Sequence, residues 1–79
     1  MTLLMDMLKG IVDEPSSVRV TPAVGIQVVV FEVLVADGDN RKVIGKGGRV
    51  ATAIRELLMS MGKKASRKYV LEIIESEKG

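Results

Sequence analysis

The chain has no cysteine and no histidine. Disulfides, thiolate and imidazole metal ligands, and Ser-His or Cys-His nucleophile pairs are therefore excluded. Aromatic residues are almost absent, with one Phe and one Tyr. Phe31 and Tyr69 both fall on core faces in the reading below, so no aromatic pair is left on which bases could stack. Apolar runs are short: VVVF at 28–31 is strand-sized. The amino-terminal MTLLMDMLKGIVDE has no basic n-region and carries Asp6 inside its apolar stretch. It reads neither as a signal peptide nor as a span of about 20 apolar residues. The expectation is a cytoplasmic protein, complete in this chain, with no membrane partner. No convergent acid–base set, nucleophile or metal site is visible, so neither an enzyme nor a cofactor is expected, and no small-molecule substrate.

What is present suits a single small domain. Of 79 residues, 47% are hydrophobic, mostly Val, Ile, Leu and Met, enough for a packed core without staples. One domain over 1–79 is expected, with 76–79 a frayed tail. The net charge is only +2, but it is segregated. Residues 1–36 hold two cations and four anions, whereas residues 41–68 hold nine cations and the single anion Glu56, a net of +8. Such asymmetry suits a polyanionic partner on one face; solvated surface lysines and arginines would read the same way.

Leu4, Met7, Leu8, Ile11 and Val12 recur at helical spacing, which predicts a helix over 2–13, capped by Thr2 and stopped by Pro15. A short extended segment follows at 17–21, with Val18 and Val20 on one face. Turn residues at 22–25 should close a hairpin with IQVVVFEVLVA at 26–36, a stretch rich in β-branched residues. Asp39 is placed to cap a short helix through Arg41, Lys42, Val43 and Ile44. A longer helix over 49–61 carries Val50, Ile54, Leu57, Leu58 and Met61 as its apolar stripe, with Gly62 ending it. A last strand is expected over 67–75. The order is helix-strand-strand-helix-helix-strand, an α+β domain with a three-stranded sheet and helices packed on one face.

Between the two later helices lies VIGKGGR, residues 43–49. It concentrates three of the chain's eight glycines in four positions. Glycine permits sharp turns at positive φ and close approach of another backbone. The amides behind such a turn sit at the amino end of the next helix, where unsatisfied N–H groups and partial positive charge attract anions. Lys46 and Arg49 add full charges. A Walker A loop is excluded because no G-x-x-x-x-G-K-[ST] string exists. A dinucleotide fingerprint fails because Val50 stands at its third glycine and a helix, not a strand, precedes it.

The string VIGKGGR, with GRVATAIREL behind it, resembles the G-x-x-G signature of KH domains, whose loop clamps a nucleic-acid backbone. The element order resembles the prokaryotic type II form, and the likeness covers nearly the whole chain. Within that fold it is similar to the small bacterial KH proteins of the KhpA type. The resemblance implies single-stranded RNA as ligand and an RNA-chaperone role. It also implies a homodimer, or a heterodimer with a second KH protein of the KhpB (Jag) type. Gly45, Lys46, Gly47, Gly48 and Arg49 are the implied RNA-binding loop. Of Val43 and Ile44, one would line a groove floor and the other enter the core; Ile44 is the groove candidate. Arg41 and Lys42 flank that groove, a placement that plain solvated surface residues would share. Lys63, Lys64, Arg67 and Lys68 form a second basic cluster that either extends the footprint or serves the helix dipole and solubility. Gly47 departs from the family, which often has a larger polar residue there.

One surface is left over. If Val29, Phe31, Val33 and Val35 face the helices, then Val28, Val30, Glu32 and Leu34 face outward, with Val70, Glu72 and Ile74 beside them. A partly apolar open sheet is a candidate partner surface; the helix-loop-helix face is its rival. Two other readings stay open: an assembly subunit with weak RNA contact, and a ribosome-associated assembly factor.

Overall fold

The computed structural model describes residues 2–74. Its principal elements are α1 (Thr2–Ile11), β1 (Arg19–Val24), β2 (Val28–Leu34), α2 (Asn40–Ile44), α3 (Arg49–Ala65) and β3 (Lys68–Ile74). The expected tail at 76–79 lies outside the described residues, as does Glu75.

The sheet runs β1-β2-β3. β2 pairs antiparallel with β1, from Arg19↔Leu34 to Val24↔Val29, and parallel with β3, from Val28↔Lys68 to Leu34↔Ile74. The central position suits β2, the strand richest in β-branched residues. Its period-two alternation decides the two faces, as expected from sequence. Val29, Phe31, Val33 and Val35 are buried, whereas Val28 and Leu34 are exposed. One core joins the inner face to Leu4, Leu8 and Val12 from the first helical stretch and to Ala51, Ile54 and Leu58 from α3. Phe31 and Tyr69 meet edge to face inside it, with ring centroids 5.1 Å apart and planes at 73°, a favoured aromatic geometry.

Four local expectations are corrected. The stretch Pro22-Ala23-Val24 is strand, not turn, and the turn falls at 25–27. β1 is an edge strand, where a proline's missing N–H can face away from the ladder. α1 ends at Ile11, ahead of Pro15, which instead opens a short 3-10 turn over Pro15–Ser17; proline suits such a first position. Asp39 stands at the start of α2, but its side chain makes no cap there. Its φ of −78° and ψ of −15° are helical, unlike the extended conformation that aims a capping side chain at the first turn.

The fourth correction concerns Gly62, which does not end α3. The helix continues to Ala65 and stops at Ser66, whose φ is 55°. The Arg67 amide donates to the Gly62 carbonyl at 2.9 Å and the Ser66 amide to Lys63 at 3.3 Å, the paired bonds of a Schellman ending. Gly62 is buried because the chain doubles back over it. A Cβ there would lie 2.5 Å from the Arg67 carbonyl oxygen and 3.2 Å from the Tyr69 amide nitrogen. Gly10, in α1, has nothing within 4 Å of the same position.

The two helical glycines therefore respond in opposite directions. Gly62→Ala should lower stability in urea denaturation by about 1–3 kcal/mol, the range for overpacking. Gly10→Ala should raise it by up to about 1 kcal/mol, through helix propensity and a less flexible unfolded chain. Equal effects at the two sites would contradict the close approach at Gly62.

Candidate nucleic-acid interface

Parallel pairing of β2 with β3 obliges the chain to cross from the end of one strand to the start of the other. α2, the glycine loop and α3 make that crossing. Asn40 ties α2 to the far end of β3 by donating its side-chain amide to the Ile74 carbonyl at 3.3 Å. α3 then carries the chain back. Its 17 residues span roughly 25 Å; a seven-residue strand spans roughly 23 Å. The glycine loop is thus placed at the end of the domain where β2 and β3 finish.

Gly45, Gly47 and Gly48 have φ of 79°, 65° and 79°, a region that side-chain-bearing residues rarely enter. Gly45 is constrained twice over, because a Cβ on it would lie 2.5 Å from Val50 Cγ2. The Gly45 amide donates to Arg41 at 2.8 Å and the Gly48 amide to Gly45 at 3.1 Å. The Arg49 amide donates to the Lys46 carbonyl. Lys46 and Arg49 are both exposed, and the first turn of α3 holds no acid. A bulk-free glycine turn, the positive end of a helix and two cations meet in one loop, a combination suited to an anion. At Gly47 nothing lies within 4 Å of where a Cβ would stand, so a longer side chain there would project freely from the loop.

The remaining expected site residues separate. Val43 is fully buried and Ile44 half-buried, so Val43 is the core member of the pair and Ile44 the one with surface to offer. Arg41 is exposed on α2. Lys42 engages Asp13, on the side of α1, with Nζ 3.3 Å from the carboxylate; an exposed pair of this kind adds little stability.

Sequence reasoning missed a groove of about 370 Å³ between α3 and the free edge of β3. Arg55, Met59 and Lys63 form one wall, and Tyr69 and Val70 belong to the other. Arg67 and Lys68 add two further cations to its lining. At 100° per residue, Arg55 and Met59 share a helix face with Gly48, the last loop residue. The slot, rimmed by cations, lies on that face along the second half of α3, beside the start of β3. The spacing of 55, 59 and 63 was a signal in principle, but only the packing of α3 beside β3 turns it into a groove.

Comparison with known proteins agrees with this architecture. The KhpA/KhpB KH domain profile matches residues 1–73. The "RNA-binding protein KhpA" of Aquifex aeolicus is 45% identical over 67 residues, 85% of each chain. The protein of that name from Chlamydia trachomatis is 41% identical over 69 residues, covering 87% of this chain and 88% of its own. The one from Clostridium acetobutylicum is 42% identical over 72 residues, covering 91% and 96%. No solved structure gives a significant match. Across the matched residues run the helix-strand-strand-helix-helix-strand order, the mixed sheet and the glycine loop of a type II KH fold, and the chain belongs to the KhpA/KhpB KH domain family.

Proposed function

We propose that the chain is a non-catalytic RNA-binding protein that holds single-stranded RNA across the glycine loop and the α3–β3 groove. The observation that carries this reading is the loop itself: three glycines at positive φ, with Lys46 and Arg49 exposed at the head of α3. In this account phosphates lie on Lys46, Arg49 and the loop amides, and bases lie against Ile44 and the apolar slot at Met59 and Tyr69. Gly45 and Gly48 hold the loop's shape and keep it free of bulk. Phosphate contacts fix the strand's position and most of its affinity. With no stacked aromatic pair, base preference is loose. The relatives' printed name supports RNA as the ligand. The family resemblance extends the proposal to RNA-chaperone work in the cytoplasm, with a KhpB-type protein as partner.

A second surface supports the partner part of this reading. Val28, Leu34 and Ile74 are 39%, 41% and 37% exposed on the open side of the sheet, and the half-buried Val30 and Val70 stand side by side among them. Glu32 and Glu72 are also register partners on that side. Arg19 and Lys68, register partners of Leu34 and Val28, share that side, so an apolar centre is ringed by charge of both signs. This face is taken for the partner chain, and the helix-loop-helix side for a homodimer.

Fluorescence anisotropy with labelled single-stranded RNA tests the RNA reading. Raising salt from about 50 to 200 mM should weaken binding about sevenfold for two phosphate contacts and about fiftyfold for four. The double change Lys46→Asp with Gly47→Asp should abolish binding while the fold is retained by circular dichroism. Equal binding by the two proteins would remove the loop from the site. For the partner surface, Leu34→Arg should disrupt association with a purified KhpB-type protein. It should leave any self-association in sedimentation velocity unchanged. The reverse pattern would assign the sheet face to a homodimer.

A further inference from the structure

We propose that Asp39 is the positioning residue of the glycine loop, acting by tying the start of α2 to the chain leaving α1. Asp39 is the one buried charged residue among those described, at 4% exposure. Its carboxylate is fully engaged away from its own helix. Oδ1 accepts the Asp13 amide at 3.2 Å and Oδ2 accepts the Glu14 amide at 3.0 Å. Two successive backbone amides thus cradle one side-chain carboxylate. The main chain of the same residue starts α2: its carbonyl accepts the Lys42 and Val43 amides at 3.0 and 3.1 Å, and its own amide donates to Ala36 at 3.0 Å.

The consequence follows from length. α2 has five residues, far too few to hold a helix unaided. Its place is set by external contacts. Val43 buries in the core, Asn40 reaches Ile74, and Asp39 anchors the first turn. One turn later the Gly45 amide bonds to Arg41, so the pose of α2 is handed directly to the loop. Charge-assisted hydrogen bonds are the stronger kind, and here they join segments 25 and 26 residues apart. Releasing them frees α2 to shift while Val43 still holds it near the core. The loop would then lose the fixed geometry that a phosphate clamp needs, without loss of the fold.

The significance for binding rests on the RNA reading above, so the test has an arm that does not use RNA. Two variants are compared with wild type. Asp39→Asn keeps size but sets an amide group against donor N–H groups. Asp39→Ser keeps a residue favoured at helix starts but cannot bridge both amides, which separates tethering from capping. Amide hydrogen exchange by NMR on the free protein should speed up at Val43, Gly45 and Gly48 by at least about tenfold, the factor matching loss of a charged hydrogen bond. Amides in β2 and at Leu58 of α3 should keep their wild-type rates. RNA affinity should fall in parallel. Asp13→Ala, which removes the exposed ion pair but leaves the Asp13 amide in place, should change neither.

Three results overturn the proposal. These are unchanged exchange around the loop, acceleration by one common factor throughout β2 and α3, or failure of both Asp39 variants to fold. The last two would make Asp39 a residue of general stability only. If the wild type binds no RNA, the functional reading falls, while the exchange comparison still decides whether Asp39 positions the loop.

Discussion

The parallel pairing of β2 with β3 is the constraint from which the rest of the domain follows. An antiparallel third strand could have been reached by a tight turn. A parallel one forces the chain to leave the end of β2, pass over the sheet and return along its full length. α3 is as long as that return requires, and the glycine loop is the corner at which the return begins. The same geometry lays α3 beside β3, a strand with one free edge, and so creates the groove lined by Arg55, Met59 and Val70. Loop and groove are thus two products of one topological requirement.

Charge follows the same division. The crossing segment and its landing at Lys68 carry the strongly basic stretch, whereas α1 and the hairpin are mildly acidic. A strand of phosphates approaching the domain therefore meets attraction mainly at the loop, along α3 and at its end. The open side of the sheet is balanced instead, with Glu32 beside Glu72 and with Arg19 and Lys68 as register partners of Leu34 and Val28. In the proposed reading, RNA and a protein partner occupy different faces of a very small domain. The loop needs side chains only for its charge, since its shape comes from backbone at positive φ and from the contact between Gly45 and Val50.

Much of this was legible in the sequence, and the exceptions share a cause. The inward and outward sets on β2 were readable because a period of two leaves no freedom once one face is buried. The division between Val43 and Ile44 was framed correctly, although only packing could decide it. The glycine loop was visible because glycine clustering has few other uses. Gly62 misled because a glycine near a helix end reads as a stop signal, whereas its reason is the return of Arg67 and Tyr69 across it. Pro22 misled because proline reads as a turn unless the strand is known to be an edge. Asp39 sits where a cap is expected, and its true partners are 25 and 26 residues away. The groove joins residues of α3 to a strand edge, and no local pattern announces that pairing. Local signals were read well, and tertiary approaches were not.

The most direct test of the central claim is a titration of isotopically labelled protein with a short, mixed-sequence single-stranded RNA, followed by amide chemical shifts. The account predicts the largest changes at the loop, residues 45–49, with smaller ones at Arg55, Met59 and Tyr69 along the groove. The outward sheet positions Val28, Glu32 and Leu34 should stay still. Changes confined to the sheet face, or none at RNA concentrations that shift a known single-strand binder, would contradict it.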